Sequence, residues 1–281
     1  MFDEGSVCLN LIEALSNLGH QITIWDNLVH DKAPIQDYDL SLIWTSRWEN
    51  LIGKLHNSIF FYIDDPNFWK NSKFEKNKDI ALISKKFDQV YTILKIPGHE
   101  KEWLPIGANA GIHKPLNIPE DKKFDVLFIG TIRDTGRSDF LKELGDKLHK
   151  KGIELRFYGN VWNEKGMRLQ KGAIYFRDFN LIVNNAKIVV NQHFSELAPS
   201  HKVHELACCS GALLLNDIRE GYVDCYPMAP VWKDVDDCVE KIEYYLKHEE
   251  ERKNLIAGMR EQSLNFTFEK QLKKVLDNAK L

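Results

Sequence analysis

The feature that most constrains this chain is a rhythm, a short apolar run followed by an amphipathic stretch, repeated along its 281 residues. SLIWT (41–45), SIFFYI (58–63), FDQVYTI (87–93) and EWLPIG (102–107) read as strands. FDVLFIG (124–130), IELRFYG (153–159), KIVVN (187–191), ALLLN (212–216) and APVW (229–232) form a second series. Between them lie stretches with helical periodicity, such as Phe140, Leu141, Leu144 and Leu148. Strands that alternate with helices predict parallel sheets covered on both faces.

The series begins on a helix. Val7, Leu11, Leu15 and Leu18 share one face, with Gly19 as the C′ residue and QITIWD (21–26) as the next strand. A doubly wound sheet normally opens on a strand, so the first strand of the N-terminal unit is expected to be missing. Arg47–His56 and a segment near 178–185 read as helices, and another starts at about Ser200. The polar, proline-containing KPLNIPEDKK (114–123) reads as a linker. The expected division is a unit over 1–116, a second over 117–263, and a closing amphipathic helix over 264–281.

Composition narrows the function classes. With 43% hydrophobic and 28% charged residues the chain is globular. A net charge of −3 gives no global field for nucleic acid or an anionic membrane. Five cysteines without a CxxC argue against a disulfide framework or zinc site and fit a reducing, cytoplasmic setting. The Cys208-Cys209 pair reads as small core residues. No apolar run approaches the roughly 20 residues that span a bilayer. No GxGxxG follows any expected strand, which discounts a nicotinamide-dependent dehydrogenase.

In open α/β sheets, ligands bind beyond the carboxyl ends of the strands. Those ends here are Gly130-Thr131, Tyr158-Gly159, Asn191-Gln192-His193 and Asn216-Asp217. The densest stretch is NQHFSELAPSHKVHELACCSGALLLND (191–217). Ser200 is placed to cap a helix whose first-turn amides favour an anion such as a diphosphate. Lys202 adds a positive charge, and Glu205, on one face with His201, is placed to accept from two ribose hydroxyls. The same spacing also fits a solvated Lys–Glu pair.

Asp64 and Asp65 follow an apolar strand. They read either as groups that position or deprotonate an acceptor, or as a cap ahead of Pro66. His20 and His99 read as turn residues, while His193 is placed to line a cleft. Trp44, Trp48, Trp69 and Trp162 are candidate stacking platforms.

The 191–217 stretch resembles the nucleotide-sugar segment of GT-B glycosyltransferases, especially the CgeB-like (spore-maturation-protein-like) group. That pattern has a strand ending in Asn, x-His, a loop, Arg-x-Phe-Glu, a small-residue helix, then Gly and an apolar strand into Asp. Asn191, His193, Glu205, Ala207-Cys208, Gly211, Leu213-Leu214-Leu215 and Asp217 match it. Lys202 stands where the pattern has arginine, and His204 where it has phenylalanine; lysine keeps the charge but loses the bidentate fork. FDVLFIGTIRDTGRSDFLKEL resembles the strand-Gly-x-x-x-Arg element, with Arg133 and Arg137 as candidates for the donor phosphates. LRFYGNVW, FFYIDDPNFW, WLPIGANAGIHKP and the closing helices resemble further elements, so the resemblance covers nearly the whole chain.

The resemblance implies two Rossmann-like domains around a cleft, with the last helix packed back on the first domain. It implies metal-independent transfer of a hexosyl or pentosyl group from a UDP-sugar to an acceptor hydroxyl, with no cofactor beyond that co-substrate. Gly130, Thr131, Arg133, Arg137, Tyr158, Gly159, Asn191, Ser200, His201, Lys202 and Glu205 would bind the donor, and Asp64, Asp65 and His193 would be catalytic. The acceptor class stays open between glycan, small molecule, protein and DNA. Two alternatives share the fold: a non-catalytic nucleotide-sugar-binding relative, and a glycosyltransferase of modified DNA bases.

Overall fold

The computed structural model describes residues 4–23, 39–43, 57–62, 80–85, 87–132, 135–159, 176–193 and 196–279. It is an α/β fold with two parallel sheets, one of three strands and one of five.

The smaller sheet holds β1 (Ser41–Ile43), β2 (Ser58–Tyr62) and β3 (Gln89–Thr92), in that order. Every residue of β2 is buried, as an unbroken apolar run predicts for a strand covered on both faces. Its side chains alternate between two cores. Ile59 and Phe61 join Leu11 and Ala14 of α1 (Glu4–Asn17) together with Ile106, while Phe60 and Tyr62 join Ile83 of α2 (Ile80–Ile83) with Phe87. Helix α1 stops as its sequence foretold. Gly19 takes φ +88°, its N–H donates to Ser16 O, and that of His20 to Leu15 O, which closes a Schellman motif.

The larger sheet holds β4 (Phe124–Ile129), β5 (Leu155–Tyr158), β6 (Ala186–Asn191), β7 (Leu213–Asp217) and β8 (Val231–Trp232). The spatial order is β5-β4-β6-β7-β8. Counted within this sheet it is 2-1-3-4-5, a doubly wound order whose direction of winding reverses between β4 and β6. The helices are α3 (Thr135–Lys150), α4 (Phe176–Asn184), α5 (His201–Cys209), α6 (Glu220–Cys225), α7 (Val235–Lys247) and α8 (Glu249–Ser263). Asp234 caps α7 by accepting from the Asp237 N–H. Cys208, Cys209, Cys225 and Cys238 are free and buried.

The last helix, α9 (Phe268–Asn278), leaves this unit and packs on the first one. Phe268, Leu272 and Val275 enter the core with Leu11, Ala14 and Ile106. The main chain adds to the join: Ala108 bridges Thr267, and the Phe268 N–H donates to Ala108 O at 2.8 Å. Thr267 caps α9 by accepting from the Lys270 N–H.

Three expectations change. EWLPIG is not a strand over its length, since only Trp103 makes a bridge, to Thr92. Two prolines and glycines close by, Pro97, Gly98, Pro105 and Gly107, interrupt the ladder. Gln21–Thr23 carries no strand pairing, and the rest of QITIWD lies outside the described residues. Helix α6 was not foreseen; EGYVDC is one short turn-and-a-half containing glycine and valine, which propensity disfavours. The helix expected over Arg47–His56 lies outside the described residues. Among the described residues, no helix is long and apolar enough to cross a membrane.

Candidate functional site

In an open sheet the ligand site is expected where the winding reverses, here at the carboxyl ends of β4 and β6, where Ile129-Gly130 and Asn191-Gln192 lie. Close packing of the backbone there requires glycine. Gly159, at the end of β5, has φ +151°, and a Cβ on it would lie 1.9 Å from Gly130 O. A Cβ on Gly130 would sit 3.4 Å from Lys202 Nζ. Glycine thus lets strand ends and a cation converge on one spot.

Two cations meet there. Lys202, in the first turn of α5, donates from Nζ to Ile129 O at 2.8 Å. Arg137, in the first turn of α3, donates to Thr131 O at 2.8 Å and to Gln192 O at 2.6 Å, and so ties the two strand ends together. Arg137 is buried. Burial, and secondarily the charge of Arg137, push the Lys202 ammonium down to about 7. An anion in this corner would oppose that shift by adding negative charge beside Lys202.

Glu205 lies one turn further along α5. Burial pushes its carboxyl up to about 8, against the pull of Lys202. The ring of His113 stands close by, with Nε2 3.9 Å from Oε1. His201, on the same face, is held neutral by burial, down at about 4. Ser200 occupies the N-cap position, but its hydroxyl makes no capping bond; only its carbonyl engages the helix, accepting from the Val203 N–H at 3.0 Å. The first turn is instead pressed against Gly107, where a Cβ would come 2.5 Å from His201 Cα.

A second cluster sits one strand over. Asn191 and Asn216 are in register across β6 and β7, and Asn191 Nδ2 donates to Asn216 Oδ1 at 2.6 Å. His193 is fixed by Asp217 at two points: its N–H donates to Asp217 Oδ1 at 2.9 Å, and Nδ1 lies 2.7 Å from the same oxygen. Arg219 Nε donates to Asp217 Oδ2 at 2.9 Å. Burial favours the neutral ring and holds His193 below its ordinary pKa, opposed by Asp217. Burial raises Asp217, but its bonds to His193 and the charge of Arg219 outweigh that and keep it ionised. A neutral imidazole that donates from Nδ1 to a carboxylate leaves Nε2 as an acceptor. That Nε2 is buried with no partner among the described residues, as is the neighbouring Tyr222 hydroxyl.

The structure therefore brings together Gly130, Thr131, Arg137, Asn191, His193, Lys202 and Glu205, with Gly159 beneath and His201 behind. Tyr158, half-buried at the end of β5, stands at the edge. Asp64, Asp65 and Arg133 lie outside the described residues, as do Trp44, Trp48, Trp69 and Trp162. Sequence reasoning missed Asp217, Asn216 and Arg219 as partners of His193. The available signal was two adjacent apolar strands that both end in polar pairs. It also missed His113, which nothing in its local sequence marks. Among the described residues, no three His, Cys, Asp or Glu side chains are grouped to hold a metal ion.

Comparison with known proteins bears on the family and the fold. The family described as glycosyl transferase-like matches residues 134–277, just over half of the chain. No curated protein matches the sequence. Anabaena Alr3699/HepE, solved with UDP-glucose, superposes with a TM-score of 0.62 at 10% identity over 79% of this chain and 72% of its own. A trehalose-6-phosphate synthase gives 0.61 at 11% identity over 99% and 78%. The β-glucosyltransferase of phage T4 gives 0.59 at 15% identity over 98% and 93%. At such identities the likeness is one of fold.

Proposed function

The chain belongs to the glycosyl transferase-like family and is a glycosyltransferase; on that premise we propose that it moves a sugar from a UDP-sugar to an acceptor hydroxyl, with the donor seated at the ends of β4 and β6. The observation that carries this reading is the meeting of Lys202 and Arg137 over the Gly130 strand end, with Glu205 one turn along α5. Two cations there suit the charge of a diphosphate, and Glu205, one turn on, suits the hydroxyls of a ribose. UDP is supported by HepE, solved with UDP-glucose. The CgeB-like subgroup is supported by the Asn191, His193, Glu205, Gly211 and Asp217 spacing.

The bond between the sugar C1 and the diphosphate oxygen breaks, and the acceptor oxygen bonds to C1. Negative charge grows on the leaving diphosphate, where Lys202 and Arg137 stabilise it without a metal. The acceptor's proton passes to a base. His193 is the candidate among the described residues, with Asp217 fixing its tautomer; Asp64 and Asp65 are the candidates on the N-terminal side. In this reading residues 1–116 hold the acceptor, 117–263 the donor, and 264–281 join the two.

Thermal denaturation with UDP, GDP, ADP and a set of UDP-sugars tests the donor class. UDP at about 100 times its dissociation constant should add roughly 2.7 kcal/mol of stability. A shift with GDP or ADP and none with UDP would refute the uridine assignment.

A further inference from the structure

His113 lies in the segment that crosses from the smaller unit to the larger one, and it is 3% exposed. Its ring is fixed on one side. Nδ1 accepts from the Asn109 main-chain N–H at 3.0 Å, so the neutral ring carries its hydrogen on Nε2. The ring is neutral because burial, aided by His201, pushes its pKa down to about 4. The Nε2–H faces Glu205 Oε1 at 3.9 Å, just outside hydrogen-bond length. No described residue donates a hydrogen bond to that carboxylate.

The backbone of His113 is held as firmly as its ring. Its carbonyl accepts from Cys208 Sγ at 3.1 Å and from Arg260 at 3.4 Å, so it rides with α5 and α8. The Phe179 ring meets it edge-on at 5.9 Å. Asn109 reaches the other way, donating to Asn10 Oδ1 at 3.1 Å and Glu13 Oε2 at 2.8 Å on α1.

We infer that His113 is a positioning residue for the donor's ribose: its Nε2–H turns and steadies the Glu205 carboxylate so that both oxygens are presented to the 2′- and 3′-hydroxyls. The inference rests on the donor-site reading above. A carboxylate that accepts from two vicinal hydroxyls needs one fixed plane. A cation alone does not set that plane, because an ammonium such as that of Lys202 acts as a point charge without a fixed donor direction. His113 supplies the directional donor, and through Asn109 it makes the plane depend on the seating of α1. The site should then tell ribose from 2′-deoxyribose by way of a residue that touches neither.

The test is calorimetric titration of the full chain with UDP and with 2′-deoxy-UDP. His113→Asn keeps an acceptor for the Asn109 N–H and drops the donor toward Glu205. His113→Gln keeps an N–H near the Nε2 position. Wild type should prefer UDP over its deoxy counterpart by about fivefold to tenfold, the worth of one hydrogen bond. His113→Asn should bring that ratio near one, chiefly by weakening UDP, and His113→Gln should restore most of it. Added to Glu205→Gln, His113→Asn should cause no further change in the ratio.

Equal weakening of both nucleotides by His113→Asn, with Glu205→Gln still erasing the preference, would overturn the inference and leave the donor site standing. A preference that survives Glu205→Gln would remove the ribose role of Glu205 and the inference with it. Melting temperatures of each variant separate these results from misfolding.

Discussion

The two α/β units are built alike and finish their strands differently. In the larger unit the ends of β4, β6 and β7 run into Gly130, Asn191, His193, Asn216 and Asp217, with Lys202 and Arg137 folded over them. In the smaller unit the described strand ends are Tyr62 and Thr92, followed by Ile93 and Leu94, all buried and neutral. Lys95, the first charge after β3, turns away to pair with Glu220 at 2.6 Å and Asp224 at 2.5 Å on α6. Among the described residues, the polar strand ends thus gather in the larger unit. Fold alone does not assign chemistry; the residues at the strand ends do.

The comparison can be broken most forcefully at its backbone. Gly159→Ala would drive a Cβ to within 1.9 Å of Gly130 O. We expect a loss of at least about 3 kcal/mol in chemical denaturation and loss of UDP binding. Wild-type stability in this variant would mean that the β4–β5 ends are not packed as described.

Asp217→Asn should act next most strongly. Without the carboxylate, the His193 ring loses the partner that fixes Nδ1–H, and Nε2 no longer serves as a dependable acceptor. Turnover of UDP-glucose, followed by UDP release, should fall about 100-fold, while UDP affinity changes little. A parallel loss of affinity and turnover would place the dyad in donor binding instead.

Lys202→Met should weaken UDP about 10- to 100-fold, the worth of a charge-assisted hydrogen bond. The pH dependence sharpens this. In the unliganded protein Lys202 titrates at about 7 and Glu205 at about 8. Binding a diphosphate requires Lys202 charged, so its part of the affinity falls as pH rises above 7. Accepting from ribose requires Glu205 ionised, so its part rises as pH approaches 8. The two cancel in the wild type, where a proton in effect moves from Glu205 to Lys202. Affinity should therefore fall between pH 7 and 9 in Glu205→Gln, and rise between pH 6 and 8 in Lys202→Met. Titrations at three pH values read the slopes.

The smallest effect belongs to the smaller unit. Lys95→Ala removes a partly exposed pair of salt bridges between the units, which should cost under about 1 kcal/mol of stability and leave UDP affinity nearly unchanged. A large loss of affinity would show that the smaller unit shapes the donor site directly.

Much of this was legible in the sequence because it depends on local pattern. Short apolar runs marked β2, β4, β6 and β7, and Gly19 marked the end of α1. The spacing of Asn191, His193, Lys202 and Glu205 marked the corner proposed for the donor, since strand end, loop and first helical turn bring such residues together by short-range geometry. Other parts depend on distant pairings. Arg137 reaches Gln192 O across 55 positions, and His193 finds Asp217 across 24. His113 meets Glu205 only because the crossover folds beneath α5. Ser200 shows the reverse failure: the local pattern named it a cap, and packing of Gly107 against the helix start prevailed. EWLPIG failed for a different reason, as its apolar content fits a strand and Pro105 withholds a ladder bond.

The most direct test of the central claim is a crystal structure with UDP bound. The diphosphate should lie at the ends of β4 and β6, within hydrogen-bond distance of Lys202 or Arg137, and the ribose hydroxyls on Glu205. A uridine diphosphate seated on the smaller unit, or on the larger one away from Gly130, would contradict it.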